Sequence, residues 1–171
     1  MISVEGCRTL ARYNAWQNDS IFGAATTLDD AARRALRGAF FGSIHATLNH
    51  LLWADRMWLS RLGRGEAPAG GIAGSVALYA EWEALCAARR AMDAVIVDWA
   101  EALSERELAG DLAWYSGATG RDMVRPRALC VLHMFNHQTH HRGQVHAMLT
   151  AAGAVPGPTD LAFAPGEVLG A

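Results

Sequence analysis

The stretch PRALCVLHMFNHQTHHRGQVHAMLTAAG, residues 126–153, holds five of the chain's seven histidines and reads as one long helix. Pro126 suits a first helical turn, where its missing N–H would have no partner anyway, and Gly153 suits a stop. At ~100° per residue, His133, His137, His141, Gln144 and Met148 fall within one ~80° sector. Val131, Phe135, Val145 and Leu149 adjoin that sector, whereas Asn136, Thr139, His140 and Gly143 point away from it. The periodicity therefore predicts a helix that turns a histidine stripe toward the interior of a bundle.

Such a stripe needs a physical reason. A buried imidazole must find partners for both ring nitrogens, and three neighbours cannot all carry charge cheaply. One metal ion answers both demands, because neutral imidazole is its commonest nitrogen ligand. Positions i and i+4 lie ~6 Å apart along a helix, so two rings can converge on one ion. His137 satisfies that spacing with either His133 or His141. The alternative is a set of hydrogen-bonded core or surface histidines, which would be preferred for a lone residue but not for this stripe.

Working outward, alanine, leucine and arginine dominate three further long segments and favour helix. The first spans about Ser3 to Ala25, and Thr26-Thr27-Leu28-Asp29 then offers capping residues for the next element. The second is strongest from Phe40 to Leu62 and stops at Gly63 and Gly65. A loop with Pro68 and three glycines follows, after which Ser75 is predicted to cap a third helix carrying Leu78, Trp82, Leu85, Met92, Val95, Trp99 and Leu103. Between Ser104 and Arg125 the periodicity fails, and Leu112 to Gly120 predicts a short hairpin or irregular loop. The tail, with Pro156, Pro158 and Pro165, predicts a surface wrap. The expected fold is all-α: one domain over residues 1–171, a four-helix bundle with that irregular segment before its last long helix.

Composition narrows the function. The chain is 51% hydrophobic and 19% charged, and its net charge of −2 gives no reason to expect a nucleic-acid partner. No apolar run approaches the ~20 residues of a membrane span, and the N-terminus lacks a signal-peptide layout. A cytoplasmic location is the expectation. Cys7, Cys86 and Cys130 are far apart and form no CxxC pair, so buried free thiols are expected. All fifteen basic residues are arginine. Without lysine there is no Schiff-base chemistry and no standard phosphate-binding loop, and no GxSxG elbow is present. The six tryptophans, Trp16, Trp53, Trp58 and Trp82 among them, are expected as core anchors.

A third ligand must come from another helix, and the second offers His45, His50 and Asp55. His45 and His50 stand ~140° apart around the axis, so only one can face a shared centre. That helix is apolar nearly all round, and hydrophobic phase alone favours His45. An exposed salt bridge with a nearby arginine is the expectation for Asp55. Cys130 shares the histidine sector but sits ~10 Å further along the axis than His137, too far to join it.

Two segments resemble a known family. Asn49-His50-Leu51-Leu52-Trp53-Ala54-Asp55-Arg56-Met57-Trp58-Leu59 resembles the second-helix signature of the DinB/YfiT-like proteins, and Asn136-His137-Gln138-Thr139-His140-His141-Arg142-Gly143-Gln144 their fourth-helix signature. Supporting matches are Arg12 to Asn18 and Gly157 to Leu161. The resemblance implies a four-helix bundle with a mononuclear three-histidine site, often zinc or nickel, its ligands falling on His50, His137 and His141. It also implies a homodimer and kinship with transferases and isomerases that use low-molecular-weight thiols.

Three protein ligands leave a coordination position open, as in catalytic sites. The expected function is thus a metal-dependent transferase or hydrolase acting on a small molecule, with thiol dependence as what the resemblance implies. Gln144 shares the sector of the ligands and is expected either to orient a water behind them or simply to pack. His133, one turn before His137, is expected either to support the ligands from behind or to be another core histidine. The alternative is a non-catalytic, stress-related bundle that stores or senses an ion. An oxygen-activating iron site with two histidines and one carboxylate is least favoured, because the fourth helix offers no inward carboxylate.

Overall fold

A computed structural model describes residues 1–170 and is mostly helical, with one small two-stranded sheet. The elements are α1 (Val4–Thr26), α2 (Asp30–Arg34), α3 (Ile44–Arg61), α4 (Trp82–Glu101), α5 (Glu105–Leu108), β1 (Asp111–Ser116), β2 (Arg121–Pro126), α6 (Arg127–Ala151) and α7 (Gly166–Leu169). Short 3-10 turns cover Ile72–Ala77 and Leu161–Phe163. Helix α1 packs on α4 and α6, and α3 packs on α6, α4 and the first 3-10 turn.

Caps explain most of the boundaries. Ser3, Asp29 and Ser43 each accept a backbone N–H from the first turn of α1, α2 and α3. The second long helix therefore starts at Ile44 rather than Phe40, because Ser43 caps it and residues 39–42 close a tight turn. Gly63 and Gly153 take φ values of +85° and +81° just beyond α3 and α6, the left-handed conformation that terminates a helix. The hairpin alternative for the irregular segment is the one realised: β1 and β2 pair antiparallel from Asp111↔Pro126 to Ser116↔Arg121. Ser75 corrects another expectation. It caps no long helix, since α4 begins at Trp82, and it lies instead inside the 3-10 turn, fully buried.

Helix α3 is the central element, buried on nearly every side. Leu48, Leu52, Leu85, Ile96, Val131, Val145 and Leu149 have no solvent exposure and join α1, α3, α4 and α6 in one apolar core. Each such side chain contributes at most ~1.5–3 kcal/mol of burial. The three cysteines are free and buried, as expected.

Within this core runs a polar ladder. Arg89 of α4 pairs with Asp55 of α3 at 2.6 Å and with Asp93 at 2.8 Å. Asp93 accepts from Asn14 and Asn18 of α1, Asp55 accepts from Gln138 of α6 at 2.9 Å, and Arg142 donates to Asn14. Asp55 does meet an arginine, but the expectation of an exposed pair is overturned: it is 1% exposed. In the dry interior its oxygens have no water, so Arg89 and Gln138 supply the partners that a buried carboxylate requires. The ladder ties all four long helices in one register.

Candidate metal centre

Helix α6 buries Met134, Phe135, Gln138, His141, Arg142, Val145 and Leu149. The histidine stripe thus lies on the flank of the buried face rather than at its centre, which corrects the expected orientation. Exposure grades along it: His133 is exposed, His137 half-buried and His141 buried. The flank faces the N-terminal half of α3, where His50 is buried.

Three rings meet there. His50, His137 and His141 each offer a nitrogen, and the three nitrogens lie within 4.8 Å of one another. His50 Nε2 and His137 Nε2 are 3.3 Å apart. Metal–nitrogen bonds of ~2.05 Å at tetrahedral angles separate two ligand atoms by ~3.3 Å, so this pair already has the spacing of one coordination edge. The centre is not at His45. That residue points across α3 toward Trp82, 6.3 Å away between ring centroids, and its Nδ1 bonds Asn49. Hydrophobic phase favoured His45 because both histidines are buried, and burial alone does not say on which side of α3 the histidines of α6 stand.

The tautomers follow from the neighbours. Ser75 Oγ donates to the Ile72 carbonyl at 2.6 Å, so toward His50 Nδ1, 2.8 Å away, it acts as acceptor. His50 then carries its proton on Nδ1 and leaves the Nε2 lone pair facing the centre. His141 Nδ1 lies 2.8 Å from Gln144 Oε1, which can only accept, so its Nε2 is also free. Holding the outer ring N–H in this way is how proteins orient metal-ligating histidines. Gln144 is expected behind the ligands and stands there, but it fixes an imidazole rather than a water. His133 does not touch the centre: its ring is 5.9 Å from that of His137 and packs on Trp58 at 4.9 Å. Sequence spacing gave no signal for Ser75, which reaches His50 from 25 residues away in the first 3-10 turn.

Electrostatics favour neutral, ligating rings. Burial pushes His50 down to about 4, helped by the charge of His141. Burial, then His141 and His50, push His137 down to about 3. His141 is lowered by burial against the opposing bond to Gln144. In metal-free protein these shifts carry a signed consequence. Between pH 6.5 and about 4 the unfolded chain takes up protons that folded His50 and His137 refuse, so stability is complete above pH 6.5 and falls on acidification. Urea midpoints measured in chelator should therefore drop from pH 7.5 to 4.5, and a His50→Gln/His137→Gln variant should show a flatter profile. Parallel profiles would contradict the burial of neutral rings.

The pattern of the DinB family matches residues 1–167. The chain belongs to the DinB family. No protein of curated function matches it. In this DinB-family chain the three-histidine group fits a metal-binding site by its nitrogen spacing and by the fixed tautomers of His50 and His141. No carboxylate joins the group among the described residues.

Phe41, from the turn before α3, stacks on His50 at 3.9 Å and lies 5.3 Å from His141. His50 and His137 also line a cavity of about 880 Å³ whose other walls include the loop before the 3-10 turn and the β1–β2 hairpin. Trp53, Met57, Trp58, Trp114 and His133 also line it. Two of the expected core tryptophans, Trp53 and Trp58, thus present surface to a cavity, although Trp53 is also buried. No described helix is long and apolar enough to cross a membrane.

Proposed function

We propose that this protein is a metal-dependent enzyme of four-helix-bundle architecture, a transferase or hydrolase acting on a small molecule, with a low-molecular-weight thiol as co-substrate. The observation that carries the reading is that two of the three clustered histidines, His50 and His137, line a large, mostly apolar cavity. A site that only stores an ion has no use for such a cavity, whereas a reacting molecule needs one. His50, His137 and His141 would hold the ion, zinc or nickel being the best matches to three imidazoles. When bound, it supplies Lewis acidity and lowers the pKa of a water or thiol at neutral pH.

The chain's own residues do the rest. Ser75 and Gln144 hold two imidazoles in the ligating tautomer. Phe41 covers the face of the His50 ring, and the cavity lined by His50 and His137 would give a substrate access to the ion. Trp53, Trp58 and Trp114 offer flat apolar surfaces that exclude water and position a substrate body. The test is to load purified protein with zinc or nickel and screen it with several low-molecular-weight thiols against electrophilic acceptors. Turnover that disappears in chelator and returns with metal is expected. Full metal loading with no turnover across the panel would favour the ion-storing alternative.

A further inference from the structure

Arg61 differs from most of the chain's buried or half-buried arginines. Arg8, Arg12, Arg33 and Arg89 have carboxylate partners, Arg56 bonds the Tyr79 hydroxyl, and Arg142 bonds Asn14. The Arg61 guanidinium instead packs on two rings, 4.7 Å from the centroid of Trp58 and 5.5 Å from that of Trp114. Those rings meet edge to face at 5.6 Å. No carboxylate near it offsets the burial that lowers its pKa. Stacking fixes the plane of the fork but satisfies none of its N–H groups.

Its location gives that unpaired fork a use. Arg61 lines the same cavity as His50 and His137 but at the other end of α3. Eleven residues separate His50 from Arg61, ~16 Å of helix axis, which the backward lean of the arginine side chain shortens to roughly 10 Å. Between them lie Met57, Trp58 and His133, an apolar and aromatic floor. The cavity therefore has an ion-binding end, a flat apolar middle and a cationic end.

We infer that Arg61 is the anion-recognising residue of this cavity, and that the protein's substrate is an elongated molecule with an aromatic or aliphatic body and a terminal carboxylate. This rests on the proposed reading of the cavity as a substrate pocket. The carboxylate matches the planar fork in a two-pronged pair, the body covers Trp58 and Trp114, and the opposite end reaches the three histidines.

The test compares 6-phenylhexanoate with its neutral counterpart, 6-phenylhexanol, by calorimetry and by tryptophan fluorescence. Both ligands are titrated into metal-loaded and chelator-treated protein, native and Arg61→Gln, with Arg61→Lys as a third variant. Native protein should bind the acid at least about tenfold more tightly than the alcohol, with or without metal, as a charge-assisted pair implies. Arg61→Gln should abolish that preference and leave alcohol binding unchanged, and Arg61→Lys should restore part of it. Equal affinity of native protein for both ligands would overturn the inference. So would a preference that survives Arg61→Gln but vanishes in chelator, because the carboxylate would then be meeting the metal. Equal loss of acid and alcohol binding in Arg61→Gln would also overturn it, marking Arg61 as a staple for the two tryptophans. Because the comparison is made with and without metal, failure of metal binding and failure of anion recognition are read separately.

Discussion

Replacing Asp55 by alanine should destabilise the protein by about 3–5 kcal/mol, the usual consequence of removing one partner from a buried ion pair. Arg89 would keep one carboxylate partner, Asp93, but lose the 2.6 Å contact, and Gln138 would lose its acceptor. For a chain of this length that cost corresponds to a fall in melting temperature of roughly 10 °C. The double change Asp55→Leu/Arg89→Met should cost much less, because it removes both charges and fills the space with apolar atoms. Calorimetry or urea denaturation of the two variants decides the matter. A loss below about 1 kcal/mol for Asp55→Ala would show that the ladder contributes little, as exposed pairs do.

The second large effect concerns the metal. His137→Ala should reduce metal content from about one ion per chain to almost none, since its ring lies 4.4 Å from that of His141 and its Nε2 3.3 Å from His50 Nε2. The loss of affinity should exceed the 10–100-fold seen when a group behind a ligand is removed. Ser75→Ala provides that milder case, because it frees the His50 ring to adopt the other tautomer without deleting a ligand. Thermal denaturation gives a second readout. At a metal concentration ~1,000 times Kd, binding adds about 4 kcal/mol to native stability, or roughly 10 °C, and His137→Ala should lose this increment entirely. Elemental analysis showing full occupancy in His137→Ala would remove His137 from the site.

Pairs of residues close in sequence were readable, and pairs distant in sequence were not. The i, i+4 spacing of His137 and His141 is a property of one helix, so periodicity exposes it directly. Yet the same spacing exists between His133 and His137, and nothing along α6 chooses between them. What chooses is the placement of α3 beside the second turn of the stripe, which brings His50 to His141 and leaves His133 against Trp58. The resemblance to a known family pointed to the same trio. Ser75 shows the limit on the other side: as a small polar residue at a helix-like boundary it suggested a cap, and only the packing of its 3-10 turn on α3 turned it toward His50.

Local sequence signals set the bodies of the long helices, the glycine stops at Gly63 and Gly153, and the five histidines concentrated in residues 126–153. These follow from local preferences, which the chain expresses within a few residues of each position. Helix packing settled which face of α6 is buried, why Asp55 is dry, and that Arg61 shares a cavity with two of the three histidines. Those outcomes depend on how α1, α3, α4 and α6 pack around the buried ladder, and burial is a property of neighbours rather than of the residue buried.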